Sequence, residues 1–141
     1  MSKNTSIAWC DSTFNPWRIC TPVGPGCDNC YASAMGHRLG MEYRQGVPRQ
    51  RTSAAYWKQP LAWNKRQGLA LAAWQSGIDI ANGDESELLR RGFIKPEPWR
   101  VFCGSLCDVF DNEVPDEWCA DLWELIERTP YLSWLLCTKR V

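Results

Sequence analysis

Several features that would place the chain in a broad class are missing from its sequence. No apolar run approaches the roughly 20 residues that a membrane span requires, so we expect no contact with a membrane. Residues 1–6 are polar and lack the apolar core of a secretory signal, so we expect a cytoplasmic protein. No repeat or low-complexity segment occurs. Charged residues at 23% and hydrophobic residues at 45% exclude intrinsic disorder as the main description.

Net charge is also absent, because 16 basic residues balance 16 acidic ones, but the charges are segregated. Residues 38–66 hold seven basic residues and one acid, whereas residues 84–127 hold twelve acids and four basic residues. The basic stretch contains Tyr43, Tyr56, Trp57 and Trp63. Basic groups with aromatic platforms suit single-stranded nucleic acid, which is one candidate partner. In the alternative, Trp57 and Trp63 pack a helix onto the core.

The length of 141 residues predicts a single domain spanning 1–141. Before residue 99 we predict a strand over 7–10, a helix over 31–39 capped by Asp28, a helix over 54–66 that Pro60 divides, and short helices over 69–74 and 85–91. Residues 67–98 are then a helical insertion.

The last third predicts a strand–helix–strand unit. Residues 99–103 form a short apolar strand, Pro115 begins a helix with one apolar face, and residues 131–137 are almost wholly apolar, as in a parallel strand buried on both faces. Such a unit crosses over right-handed. Because the chain stops at Val141, we expect an α/β architecture cut after its third strand, which leaves an edge prone to aggregation.

The strongest chemical signal is a group of three cysteines. Eight cysteines in a reducing compartment favour metal or cluster binding over disulfides. Cys20, Cys27 and Cys30 are separated by six and then two residues, across a Pro/Gly-rich loop whose N–H groups can face cluster sulfides. Three thiolates on a four-iron cluster leave one iron open. A structural zinc site is the alternative, with Cys10 or His37 as fourth ligand, and the spacing leaves both open.

Several ordered motifs resemble one known family. They are Trp9, residues 13–17, Cys20-Thr21, residues 24–32, 51–54, 57–64, 101–106, 108–110, 114–118 and 135–140. Together they resemble a phage-associated domain-of-unknown-function family that is grouped with the radical S-adenosylmethionine superfamily. The resemblance covers most of the chain outside residues 67–98. It also implies a bacterial host cytoplasm and a three-Cys-motif partner protein.

What the resemblance implies is a partial (β/α) barrel of the radical S-adenosylmethionine type. A 4Fe-4S cluster held by Cys20, Cys27 and Cys30 would chelate S-adenosylmethionine at its open iron. Reductive cleavage would then give a 5′-deoxyadenosyl radical that starts chemistry on an unknown substrate. The first cysteine gap is six residues where the superfamily usually has three. Tyr31 follows the last cysteine, and we assign this aromatic residue to cofactor binding.

Polar residues that follow the second and third predicted strands are further candidates. Ser105 and Asp108 lie where barrel enzymes place working residues, and Asp108 would bind the cofactor's ammonium or ribose. In the alternative, Asp108 caps its own loop. Lys139 and Arg140 would pair a carboxylate or a phosphate, or else belong to a solvated terminus. The other five cysteines are interpreted as bystanders: Cys10, Cys103, Cys107, Cys119 and Cys137.

Three hypotheses follow from these observations. The first is a radical S-adenosylmethionine-type enzyme domain, and the second is a non-enzymatic, zinc-stapled binding module. The third is an inactive, truncated relic. It keeps the cysteine loop, by which we mean residues 20–30, and lacks the part of the barrel that would hold the substrate.

Overall fold

The computed structural model describes residues 5–140. Its strands and helices, in chain order, are β1 (Ser12–Phe14), β2 (Trp17–Arg18), α1 (Tyr31–Arg38), β3 (Gln50–Arg51), α2 (Ala54–Trp57), α3 (Gln59–Ile80), α4 (Glu85–Arg90), β4 (Trp99–Cys103), α5 (Asp116–Glu127) and β5 (Leu132–Leu136). A short 3-10 turn, Pro25–Cys27, precedes α1.

A small parallel sheet organises the fold. Its three strands lie in the order β1-β4-β5, with Ser12 beside Val101 and Trp99 beside Leu132. Strands β2 and β3 form a separate antiparallel pair. The protein is therefore mixed α/β, and within residues 5–140 the sheet does not close into a barrel.

The main core lies between one face of the parallel sheet and the helices. Val101 and Cys103 of β4 alternate with partly exposed neighbours and are fully buried, as expected for a strand with one covered face. Leu122 and Leu125 of α5 and Trp63 of α3 pack into the same cluster. The opposite face of β4 presents Phe102, which is outside this core.

The predicted strand–helix–strand unit is confirmed. Strands β4 and β5 pair in parallel and α5 connects them. Pro115 directly precedes the first residue of α5, and two acids in its first turn favour the positive end of the helix dipole. The prediction that β5 is buried on both faces is only partly met, because Leu132 is buried whereas Leu135 is 36% exposed.

The first predicted strand is wrong in its position. Residues 7–10 form a turn, and the strand begins at Ser12. The Asp11 carboxylate accepts hydrogen bonds from the main chain and side chain of Arg100 and so aligns the following residues with β4. A contact across the sheet, which local apolarity does not reveal, sets the register.

The helical region differs from its prediction in extent. Pro60 does divide the segment, since α2 ends at Trp57 and α3 begins at Gln59 with Pro60 in its first turn. However, α3 continues to Ile80 as one helix of 22 residues, which replaces the short helix predicted over 69–74. Gly68 inside it has a packing reason, because a Cβ there would lie 2.7 Å from the Tyr131 ring.

Helix α1 follows the prediction except at its start. It ends at Arg38, and Gly40 has the left-handed φ of 70° that favours glycine. Its N-cap is Cys30, whereas the predicted cap, Asp28, lies just beyond the 3-10 turn. The helix therefore begins with the last cysteine of the motif.

Candidate functional site

A cavity of about 800 Å³ lies at the carboxyl ends of the parallel strands. Its volume falls in the range of small-molecule and cofactor sites. The residues nominated for the cluster and for S-adenosylmethionine line this cavity: Cys20, Cys27, Cys30, Tyr31, Ser105, Asp108 and Lys139. Arg140, which was nominated with Lys139, does not. Thr13 and Phe102, on the uncovered face of the sheet, also line it. The structure thus brings together residues that are far apart in the sequence.

The three cysteines reach the cavity from different local structures. Cys20 follows Ile19, Cys27 ends the 3-10 turn, and Cys30 caps α1. Ile19 has a φ of 74°, which is rare for a β-branched residue, and its N–H donates to the Leu106 carbonyl at 3.1 Å. Ile19 is also buried, so the surrounding packing holds a strained residue directly before the first cysteine.

Two of the thiols have opposite electrostatic surroundings. Burial, reinforced by the nearby charge of Asp111, raises the pKa of Cys20 to about 12. Burial acts in the same direction on Cys30, but the nearby N–H groups of Ser33 and Ala32, together with the Lys139 ammonium, hold its pKa below the ordinary value. The start of α1 and Lys139 therefore favour a thiolate at Cys30.

Lys139 links the third strand to the cysteine loop. Its ammonium donates to the Gly26 carbonyl at 2.6 Å, and, against the opposing effect of burial, the charge of Cys30 raises the pKa of Lys139. The alternative of a freely solvated terminus therefore does not describe this side chain. Arg140 is held as well, because its guanidinium lies 2.9 Å from Asp111.

Asp108 occupies the cavity wall and caps two loops. The residue is buried, and its carboxylate accepts from the Phe110 N–H at 2.9 Å, the Thr138 hydroxyl at 2.9 Å and the Lys139 N–H at 2.8 Å. These contacts match the capping alternative, and they fix the main chain from which Lys139 extends.

Ser105 is held by a buried asparagine on the neighbouring strand end. The Asn15 amide donates to the Ser105 hydroxyl at 2.9 Å, and its carbonyl accepts from the Leu106 N–H at 2.8 Å. The loops after β1 and β4 are thereby joined at the cavity. Tyr31 lies at the mouth of the cavity and is 64% exposed.

A buried network of ion pairs and hydrogen bonds holds the start of the cysteine loop. Arg49 and Asp111 pair at 2.6 Å with side chains only 1% and 0% exposed. Arg49 also donates to the Thr21 hydroxyl at 2.8 Å, and that hydroxyl donates to Glu113 at 2.8 Å. Thr21 adjoins Cys20, so the network fixes the start of the loop.

Comparison with known proteins gives one match. Residues 4–141 match the model of a protein family of unknown function, DUF5131. The chain belongs to the DUF5131 family. No curated protein and no solved structure matches it. Since the description of the family states no function, the phage association and the radical S-adenosylmethionine grouping stay predictions.

The cavity of this DUF5131 member also contains residues that the sequence did not nominate. Arg18, Asn15, Cys107 and Cys137 line it. Cys107 and Cys137 were interpreted as bystanders because their neighbours are apolar. The position of Arg18, two residues before the first cysteine of the motif, was the available signal for its placement.

The cysteine set fits a bound inorganic group in its chemistry. All eight cysteines are free thiols, and the three of the motif open into one cavity. The N–H groups at the start of α1 and the Lys139 ammonium also outweigh burial and lower the pKa of Cys30, which favours the thiolate form that binds metals. Among residues 5–140, as they are arranged, no three His, Cys, Asp or Glu side chains form a group that could hold a metal ion.

The two residues predicted as a fourth zinc ligand lie elsewhere. Cys10 is buried before β1, at the amino end of the sheet, and His37 is exposed in the last turn of α1. The cavity-lining residues include neither of them.

The aromatic residues of the basic stretch belong mainly to the core. Tyr43, Tyr56 and Trp63 are buried, and the half-buried Trp57 packs against the main cluster. This arrangement matches the packing alternative for Trp57 and Trp63, and nucleic acid as a partner stays a prediction. No helix within residues 5–140 is long and apolar enough to cross a membrane.

Proposed function

We propose that this protein is an iron–sulfur protein of the radical S-adenosylmethionine type. Cys20, Cys27 and Cys30 would hold a 4Fe-4S cluster at the carboxyl ends of the strands. The observation that carries the proposal is the shared cavity, since separate strand ends and the cysteine loop bring to it the residues nominated for the cluster and for S-adenosylmethionine. The uncovered sheet face beside the cavity supports a partial barrel of the same type.

The bound cluster and S-adenosylmethionine would supply a reducing electron and a cleavable sulfonium, which together begin radical chemistry. The chain's own residues would position and shield them. Lys139 places a positive charge beside Cys30, and Asp108 holds the main chain of Lys139. Ser105, fixed by Asn15, offers a hydroxyl at the cavity wall, and Tyr31 offers an aromatic face at its mouth.

Anaerobic reconstitution with iron and sulfide tests the proposal. We expect a brown protein with four irons per chain and a charge-transfer absorption band that dithionite bleaches. The Cys27→Ala variant should lose the colour. Cys119→Ala is the matched control, because Cys119 is half-buried on α5 and does not line the cavity. A colourless protein that holds one zinc per chain would contradict the cluster.

A zinc-stapled binding module is the alternative that this experiment also tests. It requires a fourth ligand, and replacement of Cys10 or His37 should then release zinc as completely as replacement of Cys30. An inactive relic would bind the cluster without cleaving S-adenosylmethionine. Formation of 5′-deoxyadenosine under reducing conditions therefore separates the enzyme from the relic. The phage association and the three-Cys-motif partner protein belong to the same proposal.

A further inference from the structure

A second cavity, of about 300 Å³, adjoins the cysteine cavity and shares one residue with it. The shared residue is Arg18. The second cavity is lined entirely by polar residues and contains no carboxylate: Arg18, Gln50, Arg51, Thr52, Ser53 and Tyr56. A polar enclosure with a positive charge and no acid is complementary to an anion.

Arg18 differs from the other arginines near the site in its partners. Arg49 and Arg140 pair with Asp111, and the guanidinium of Arg51 pairs with Asp121 and stacks on Trp57. Within residues 5–140, Arg18 makes no side-chain hydrogen bond or ion pair, and its Nε is buried without a partner. A buried guanidinium nitrogen without an acceptor is costly, and the guanidinium charge has no counter-charge, so an anionic ligand at the rest of the group would compensate it.

The antiparallel pair β2–β3 sets the geometry of this group. Arg18 and Gln50 lie directly opposite one another in the register, so their side chains project from the same face. Gln50 is exposed and brings an amide donor to the cavity. Ser53 uses its oxygen to accept from the Tyr56 N–H and keeps its hydroxyl hydrogen as a donor. Three donor side chains thus surround one small space.

We propose that the second cavity binds a phosphate group, with the Arg18 guanidinium as its main contact. Arginine presents several N–H donors in a planar fork that matches phosphate oxygens, and Gln50 and Ser53 would add further donors. Because Arg18 lines both cavities, the phosphate of a small phosphorylated molecule would sit here and its remainder would extend toward the cysteines. The inference requires no bound cluster.

Titration of the full chain with phosphate tests this site by NMR. We expect the Arg18 Nε–Hε resonance of the unliganded, ¹⁵N-labelled protein to shift with inorganic phosphate. It should remain unchanged with sodium chloride at equal ionic strength. Arg18→Gln should weaken phosphate binding by at least about tenfold. The matched control is Arg38→Gln, because Arg38 is exposed and lines neither cavity, and it should bind as the parent does.

Further ligands identify the source of the phosphate. A nucleoside monophosphate that binds more tightly than inorganic phosphate supports the site and assigns it to a phosphorylated substrate. Equal affinity supports the site and assigns it to free phosphate. An unchanged Arg18 resonance, or acetate binding as tightly as phosphate, overturns the proposal. If Arg18→Gln does not fold, the titration of the parent protein decides. Loss of the cluster in Cys27→Ala would leave phosphate binding intact, so the two proposals fail separately.

Discussion

The loops at the carboxyl end of the parallel sheet and the helices α3 and α4 use their polar residues in different ways. In the loops, Arg49 and Asp111 form an ion pair that is almost completely buried. In the helices, Glu87 and Arg91 form a pair whose side chains remain 30% and 65% exposed. Both pairs have nearly the same length, 2.6 Å and 2.7 Å.

The difference shows that distance alone says little about the importance of a pair. A buried charge has lost its hydration, so removal of its partner leaves an uncompensated cost, whereas an exposed charge is rehydrated by water. The exposure of apolar side chains follows the same order. Ile80 at the end of α3 is 82% exposed, whereas Ile19 beside the cysteine loop is 1% exposed. The loops are therefore the more constrained part of the protein.

The largest effect is expected for Asp111→Ala. This change removes the carboxylate 2.6 Å from the buried Arg49, which keeps only Glu113 at 3.5 Å, and it also removes a partner of Arg140. We expect the free energy of unfolding to fall by about 3–5 kcal/mol, measured by urea denaturation. Asp111→Asn, which keeps an acceptor oxygen, should lose less. If Asp111→Ala lost no more stability than removal of the exposed pair Glu87–Arg91, burial would not decide how much an ion pair contributes.

A smaller but clear effect is expected for Gly36→Ala in α1. The added Cβ would clash with the Tyr43 ring, so the ring or the helix must move. We expect a loss of about 1–3 kcal/mol by the same measurement. Gly24→Ala is the control, because an added Cβ there meets no atom within 4 Å. Equal stability of the two variants would show that the packing between α1 and the Tyr43 ring adapts easily.

The Tyr43→Phe variant separates ring packing from hydrogen bonding at the same place. The Tyr43 hydroxyl donates to the Leu106 carbonyl at 2.9 Å. That carbonyl also accepts from the Ile19 N–H, so it keeps one partner in the variant. We expect a loss of about 0.5–1.5 kcal/mol in denaturant unfolding. A loss larger than that of Gly36→Ala would reverse the expected order of the two effects.

The smallest effect is expected for Glu87→Gln in α4. Glu87 contacts Arg90 at 2.8 Å and Arg91 at 2.7 Å, and both arginines are exposed. The stability should change by less than about 0.5 kcal/mol, and raising the salt concentration should reduce the difference further. A loss of stability as large as that of Asp111→Ala would mean that the exposure of an ion pair does not determine its contribution.

Local sequence signals predicted one part of the fold well. Pro115, the acids after it and the apolar periodicity of α5 are contained within a few residues, so the strand–helix–strand unit could be derived from them. The cysteine loop was likewise visible from spacing, and the cavity contains the residues nominated for the cluster and for S-adenosylmethionine, but not Cys10, His37 or Arg140.

Contacts between distant residues were not predictable in this way. Arg49 and Asp111 are 62 residues apart, and Asn15 and Ser105 are 90 residues apart. Nothing next to Asn15 indicates that its amide will hold a loop from another strand. The left-handed φ of Ile19 even opposes the preference of a β-branched residue, so only the tertiary structure accounts for it.

The contact between Lys139 and Gly26 spans 113 residues of sequence and has a consequence for biosynthesis. A ribosome makes the cysteine loop early, but the lysine that covers it is made more than a hundred residues later. Closure over such a distance is entropically costly and slow. We therefore expect the thiols to stay accessible until Lys139 has been made, and the proposed cluster would be delivered most easily before the last strand docks.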